Sequence, residues 1–130
     1  MAVNKNFYKI LLLDDDDKLR FNLKLFLEDE EFDCTAVEDA EQALEVLQTQ
    51  SFDIAIVDIR LPGIPGDEFI PKANRIDPKL RYIIHTGSTD FKLSDQLMDI
   101  GVTQDFVYIK PVPNMGVFLE AFRRLIPHTP

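Results

Sequence analysis

Residues Ile54-Ala55-Ile56-Val57-Asp58 and, earlier, Ile10-Leu11-Leu12-Leu13-Asp14 are two four-residue apolar runs, each closed by an aspartate. Neither run alternates with polar residues, so both faces of each strand must be covered, as in a parallel sheet sandwiched between helices. Similar short runs occur at Asp33–Val37, Tyr82–His85 and Val107–Ile109, and the first extends back to Lys9. Their spacing of about 20–27 residues fits one strand plus one returning helix.

The segments between the runs have helical spacing. Leu19, Leu23, Phe26 and Leu27 fall on one stripe, Ala40, Ala43, Leu44 and Leu47 on a second, and Phe118, Ala121, Phe122 and Leu125 on a third. Asp39 followed by Gln42 has capping-box spacing, and Asn114 after Pro113 is placed to cap the last helix. The third helix, if Asp67 caps it, is expected to be short or kinked, because Pro71 lies past the first turn and removes a hydrogen bond. Five strand–helix units joined by right-handed crossovers predict an α/β fold: a flavodoxin-like, doubly wound, five-stranded parallel sheet of order 2-1-3-4-5 with five helices.

The 130 residues suffice for one ordinary core, so a single domain over 1–130 is expected, with its core in 5–126. Residues 127–130 read as a helix stop and loose tail, compatible with a cut from a longer chain. Acidic residues outnumber basic ones by 23 to 14, giving a net charge of -9. That balance argues against a surface that holds nucleic-acid phosphates. Cys34 stands alone and cannot form an internal disulfide, which fits a buried residue in a reducing compartment. Met1–Asn6 lacks the apolar stretch of a signal peptide, and no apolar run approaches the roughly 20 residues of a bilayer span. A soluble, cytoplasmic protein is the expectation.

In open parallel sheets, ligands bind beyond the carboxyl ends of the strands, beside the point where strand order reverses. The first strand runs into Asp14, Asp15, Asp16 and Asp17, the third into Asp58, the fourth into Thr86 and the fifth into Lys110. Taken singly, an aspartate there is as readily a helix cap, Thr86 a turn residue and Lys110 a solvated lysine; Asp16 or Asp17 is expected to cap the first helix. Together they mark one edge. Carboxylates of Asp14, Asp15 and Asp58 at ~5 Å would repel by about 3 kcal/mol per pair at an effective dielectric of 20. An all-oxygen cluster of this kind suits Mg²⁺. Lys110 supplies a point charge for an anion and Thr86 a hydroxyl donor. The set amounts to a phosphoryl site in which Asp58 is the candidate nucleophile.

These motifs resemble the receiver domains of two-component response regulators over nearly the whole chain. The stretch 10–20, ILLLDDDDKLR, is similar to the family's first strand and acidic pair, and 53–66, DIAIVDIRLPGIPG, to the surroundings of its phosphoacceptor. His85-Thr86-Gly87 resembles the switch threonine with its small neighbour, and Lys110-Pro111 the lysine followed by a proline that is usually cis in the family. The resemblance implies that Asp58 accepts a phosphoryl group, and that Asp15, Asp58 and the backbone carbonyl of Arg60 bind Mg²⁺ directly, with Asp14 acting through water. It also implies a histidine kinase or phosphotransfer protein as donor, and an effector reached through the face of the fourth helix, fifth strand and fifth helix. Phosphotransfer to Asp58 and its loss to water would be the only chemistry.

Two features depart from the family pattern. An aromatic residue usually stands three positions before the lysine, whereas here Val107 does, between Phe106 and Tyr108. The stretch 101–110 is also about two residues longer than usual, so Phe106 or Tyr108 is the candidate replacement. Arg60 either contacts the phosphoryl group or is a solvated loop residue. His85 is expected to be a hydrogen-bonded core residue, and Leu119, Ile126 and Phe91 are candidates for a partner surface. No glycine-rich phosphate loop follows the first strand. An unphosphorylated interaction module and a Mg²⁺-dependent phosphohydrolase are the competing readings.

Overall fold

In the computed structural model, which describes residues 8–126, five parallel strands lie in the order β2-β1-β3-β4-β5. The strands are β1 (Lys9–Leu13), β2 (Asp33–Val37), β3 (Ile54–Val57), β4 (Arg81–Thr86) and β5 (Val107–Ile109). The helices are α1 (Asp17–Asp29), α2 (Ala40–Leu47), α3 (Gly66–Ile76), α4 (Asp95–Ile100) and α5 (Gly116–Leu125), and a 3-10 turn spans Gln104–Phe106. The predicted strand order and helix number hold. The expectations for Met1–Asn6 and for the tail lie outside the described residues.

Successive strand residues point to opposite faces and build two cores. Leu11, Leu13, Ala55, Val57, Tyr82 and Ile84 pack with residues of α2, α3 and α4, whereas Ile10, Leu12, Ile54, Ile56 and Ile83 pack with α1 and α5. Each fully buried Leu or Ile contributes roughly 1.5–3 kcal/mol relative to exposure, so the uninterrupted apolar runs are what fix the central strands. Cys34 is buried in the second core. No helix among the described residues is long and apolar enough to cross a membrane.

The helix starts largely follow the sequence signals. Asp16 caps α1 by accepting from Leu19 N–H at 3.1 Å, and Asp39 caps α2 by accepting from Gln42 N–H at 2.8 Å. The Gln42 side chain in turn accepts from Glu38 N–H, one residue before the expected position. Asn114, expected to cap α5, stands one residue before its N-cap Met115, which makes no side-chain cap bond, and accepts from Gly116 N–H at 2.6 Å.

Three expectations need correction. Helix α3 is not short: it runs 11 residues through Pro71, with Pro65 rather than Asp67 at its N-cap and no side-chain cap bond. Burial of Phe69, Ile70, Pro71 and Ala73 offsets the missing hydrogen bond. Leu119, Ile126 and Phe91 are partly buried against the two cores and are not the most exposed apolar side chains; among the described residues the exposed large apolar ones are Phe21, Leu25, Met98 and Ile109. His85 is buried as expected, but neither ring nitrogen has a hydrogen-bond partner.

Candidate functional site

Register places the acidic residues. β1 and β3 are adjacent, pairing Leu13 with Val57, so the residues that follow each strand emerge side by side. Asp58 N–H extends this ladder by donating to Leu13 carbonyl oxygen at 2.9 Å, and Asp14 N–H donates to Val37 carbonyl oxygen on the other side of β1. Backbone pairing therefore holds both aspartates independently of their side-chain contacts. Carboxylate oxygens of Asp14, Asp15 and Asp58 lie within 4.8 Å of one another, with Asp14 and Asp58 buried and Asp15 exposed.

Lys110 arrives from the far edge of the sheet, where its N–H donates to Thr86 carbonyl oxygen. Its Nζ lies 2.9 Å from Asp14 Oδ2 and 3.1 Å from Asp58 Oδ2. Burial raises the Asp58 carboxyl above its ordinary range, and the attraction of Lys110 only partly opposes it. For Lys110, burial alone would favour the neutral amine, but its contacts with Asp14 and Asp58 outweigh that and raise its pKa. One ammonium cannot balance three carboxylates, so two negative charges remain, which a divalent cation with a preference for oxygen would neutralise. The donor set, two buried carboxylates and one open to water, fits Mg²⁺, which keeps several waters when bound.

Arg60 N–H donates to Asp58 Oδ1 at 3.2 Å, while its side chain turns away to Ser88 Oγ at 3.3 Å. Ser88 links this edge of the site: its hydroxyl donates to Asp90 Oδ1 at 2.6 Å and its N–H to Thr86 Oγ1 at 3.1 Å. The fully buried Thr86 hydroxyl is thus held by the loop after β4. Asp14, Asp15, Asp58 and Lys110 form one cluster, with the Arg60 backbone beside it and Thr86 attached through its own loop. The Lys110–Pro111 peptide is cis.

Two groups with no predicted role also shape the site. Ser88 and Asp90 were legible only as a Ser and an Asp two and four residues beyond Thr86, a spacing typical of turn-forming side chains. Gly66, at the start of α3, sits so close to the end of β3 that a Cβ there would lie 2.1 Å from Asp58 carbonyl oxygen. Near β5, Val107 packs with the first core, whereas Phe106 and Tyr108 pack with the second. Tyr108 packs at a tilt of 59° against Phe118 with ring centroids 5.6 Å apart, and the Arg124 guanidinium lies 4.9 Å from the Phe106 centroid. Strand alternation thus leaves no aromatic from this segment on the Val107 side.

Among solved structures, a CheY-like response regulator receiver domain protein from Methanospirillum hungatei superposes with a TM-score of 0.78 at 29% identity, covering 90% of this chain and 91% of that one. The response regulator TrrA of Thermotoga maritima, solved in complex with Mg²⁺-BeF, gives a TM-score of 0.77 at 25% identity over 92% of this chain and 99% of TrrA. In sequence, the C4-dicarboxylate transport transcriptional regulatory protein DctD of Pseudomonas aeruginosa is 34% identical over 119 residues, 91% of this chain. The chain spans about a quarter to a half of the length of such curated relatives. Residues 10–117 match the response regulator receiver domain family, and with the parallel sheet and the acidic edge already described, this chain belongs to that family.

Proposed function

We propose that the chain is a phosphorylation-operated switch that takes a phosphoryl group onto Asp58 from a phosphohistidine of a sensor histidine kinase or phosphotransfer protein. The supporting observation is the Asp58 carboxylate, buried, grouped with Asp14 and Asp15 and held by Lys110. An Asp58 oxygen attacks phosphorus, the phosphorus–nitrogen bond breaks, and the imidazole leaves with the electron pair; hydrolysis later returns phosphate and the free carboxylate. Asp15, Asp58 and the Arg60 carbonyl would hold Mg²⁺ directly and Asp14 through water; the ion would neutralise charge on the phosphoryl oxygens. That TrrA was solved with Mg²⁺-BeF supports this assignment.

Phosphorylation adds about two negative charges beside Lys110. The Thr86 hydroxyl can exchange its bond from Ser88 N–H for a phosphoryl oxygen, which would loosen the loop leading to α4. The face of α4, β5 and α5 then becomes the output surface toward an effector domain or protein. Residues 1–130 are read as one receiver domain working in the cytoplasm, with no catalysis beyond its own phosphorylation and dephosphorylation.

Beryllofluoride with Mg²⁺ tests the reading against an unphosphorylated interaction module. Amide resonances of Thr86, Ser88 and α4 are expected to shift on addition; an unchanged spectrum would contradict a switch. Steady release of phosphate from external phosphoesters, lost in Asp58→Asn, would instead identify a phosphohydrolase.

A further inference from the structure

We infer that Arg20 is a positioning residue for the cation site, acting through the backbone of the acidic loop. This inference rests on the Mg²⁺ reading above. Arg20 sits in the first turns of α1 with its side chain 19% exposed, beside four consecutive aspartates. Its Nη1 donates to Asp14 carbonyl oxygen at 2.8 Å, and its Nη2 pairs with Asp17 Oδ1 at 2.6 Å. The guanidinium is thereby committed to the outer side of the loop, while Lys110 serves the Asp14 and Asp58 carboxylates.

The bond to Asp14 carbonyl oxygen matters because that oxygen belongs to the peptide joining Asp14 to Asp15. Holding that peptide plane fixes the Asp15 Cα and so restricts, together with the Asp15 φ angle, the direction in which the exposed Asp15 side chain leaves the backbone. From its other side the loop is tied by Asp16 N–H, which donates to Asp14 Oδ1 at 2.9 Å. The planar fork of arginine reaches the carbonyl and Asp17 at once, whereas a lysine ammonium in the same place is a single point of attachment.

Charge and positioning predict opposite signs. A cation next to a cation site repels Mg²⁺, so simple electrostatics makes Arg20→Ala bind Mg²⁺ more tightly. Loss of an orienting contact behind a ligand makes binding weaker, about tenfold by comparison with other outer contacts of metal ligands. The test is calorimetric titration of the full chain with magnesium chloride for wild type, Arg20→Ala and Arg20→Lys, with thermal unfolding in the absence of Mg²⁺ as the measure of folding. The expected result is about tenfold weaker binding for Arg20→Ala and an intermediate affinity for Arg20→Lys, with the Mg²⁺-free unfolding midpoint little changed. Equal or tighter binding by Arg20→Ala would overturn the inference. If that variant does not fold, Arg20→Lys decides: wild-type affinity overturns the inference and weaker binding supports it. A wild-type chain that binds no Mg²⁺ would overturn the metal reading itself and this inference with it.

Discussion

Lys110 and Asp58, 52 residues apart in sequence, meet with Nζ 3.1 Å from Oδ2. This pair is the closure of the site, since the same ammonium also reaches Asp14 at 2.9 Å. Removing it leaves two buried carboxylates facing each other. Lys110→Ala is therefore expected to lower stability by about 2–3 kcal/mol without Mg²⁺, somewhat less than for a fully buried pair because the ammonium retains some access to water. Magnesium should recover more stability in this variant than in wild type. Denaturant unfolding with and without Mg²⁺ measures both, and an unchanged midpoint would show that the contact carries no energetic weight.

His85 predicts an acid sensitivity separate from the site. Burial lowers its pKa to about 4 from 6.5, with Lys110 adding to the effect. On acidification the unfolded chain takes up the proton first, so this contribution to stability is complete above pH 6.5 and is lost as pH falls toward 4. Its size is about 3 kcal/mol across that range. His85→Met is expected to flatten the difference and, by removing the unpartnered ring nitrogens, to stabilise the fold at neutral pH by about 1–2 kcal/mol. Unfolding of both proteins at pH 7 and pH 4.5 checks it; parallel pH dependences would contradict the assignment.

The strands and the acidic edge were legible because each rests on local pattern, unbroken apolar runs, helical stripes and an aspartate closing a strand, and the strand order was drawn from their alternation with helices and right-handed crossovers. The contacts that organise the edge were not. Arg20 to Asp14 carbonyl oxygen depends on how α1 folds back on the loop before it, and Arg60 to Ser88 on how the loops after β3 and β4 approach one another, which no periodicity encodes. Helix α3 outlasted the expectation set by Pro71 because buried neighbours override local propensity. Phe91, Leu119 and Ile126 were misplaced for a related reason: residues at the margin of a stripe are covered or bare according to the packing of the next element.

Gly66 offers a test of backbone closeness. A Cβ added there meets Asp58 carbonyl oxygen at 2.1 Å and the Ile59 Cα at 2.9 Å, both backbone atoms. Gly66→Ala is expected to destabilise by about 2 kcal/mol and to slow phosphorylation of Asp58, since the start of α3 must move off the strand end. Labelling rates measured alongside stability check it; wild-type values in both would show that the helix shifts freely.

Arg60 links Asp58 to the loop after β4, its N–H donating to Asp58 Oδ1 and its side chain to Ser88 Oγ. On the proposed reading, a phosphoryl group on Asp58 would pair with the guanidinium better than a neutral hydroxyl does, and the guanidinium would then shield phosphorus from water. Arg60→Ala is expected to shorten the lifetime of the phosphorylated form. The decay of phosphorylated protein after removal of the donor measures this, and an unchanged lifetime would place the side chain outside the chemistry.

Intact-mass measurement after incubation with acetyl phosphate and Mg²⁺ addresses the acceptor itself. Wild type is expected to gain a single phosphoryl group, and the gain should vanish both in Asp58→Asn and when Mg²⁺ is chelated. A wild-type chain that stays unlabelled with Mg²⁺ present, or an Asp58→Asn chain that labels like wild type, would contradict the assignment of Asp58 as phosphoacceptor.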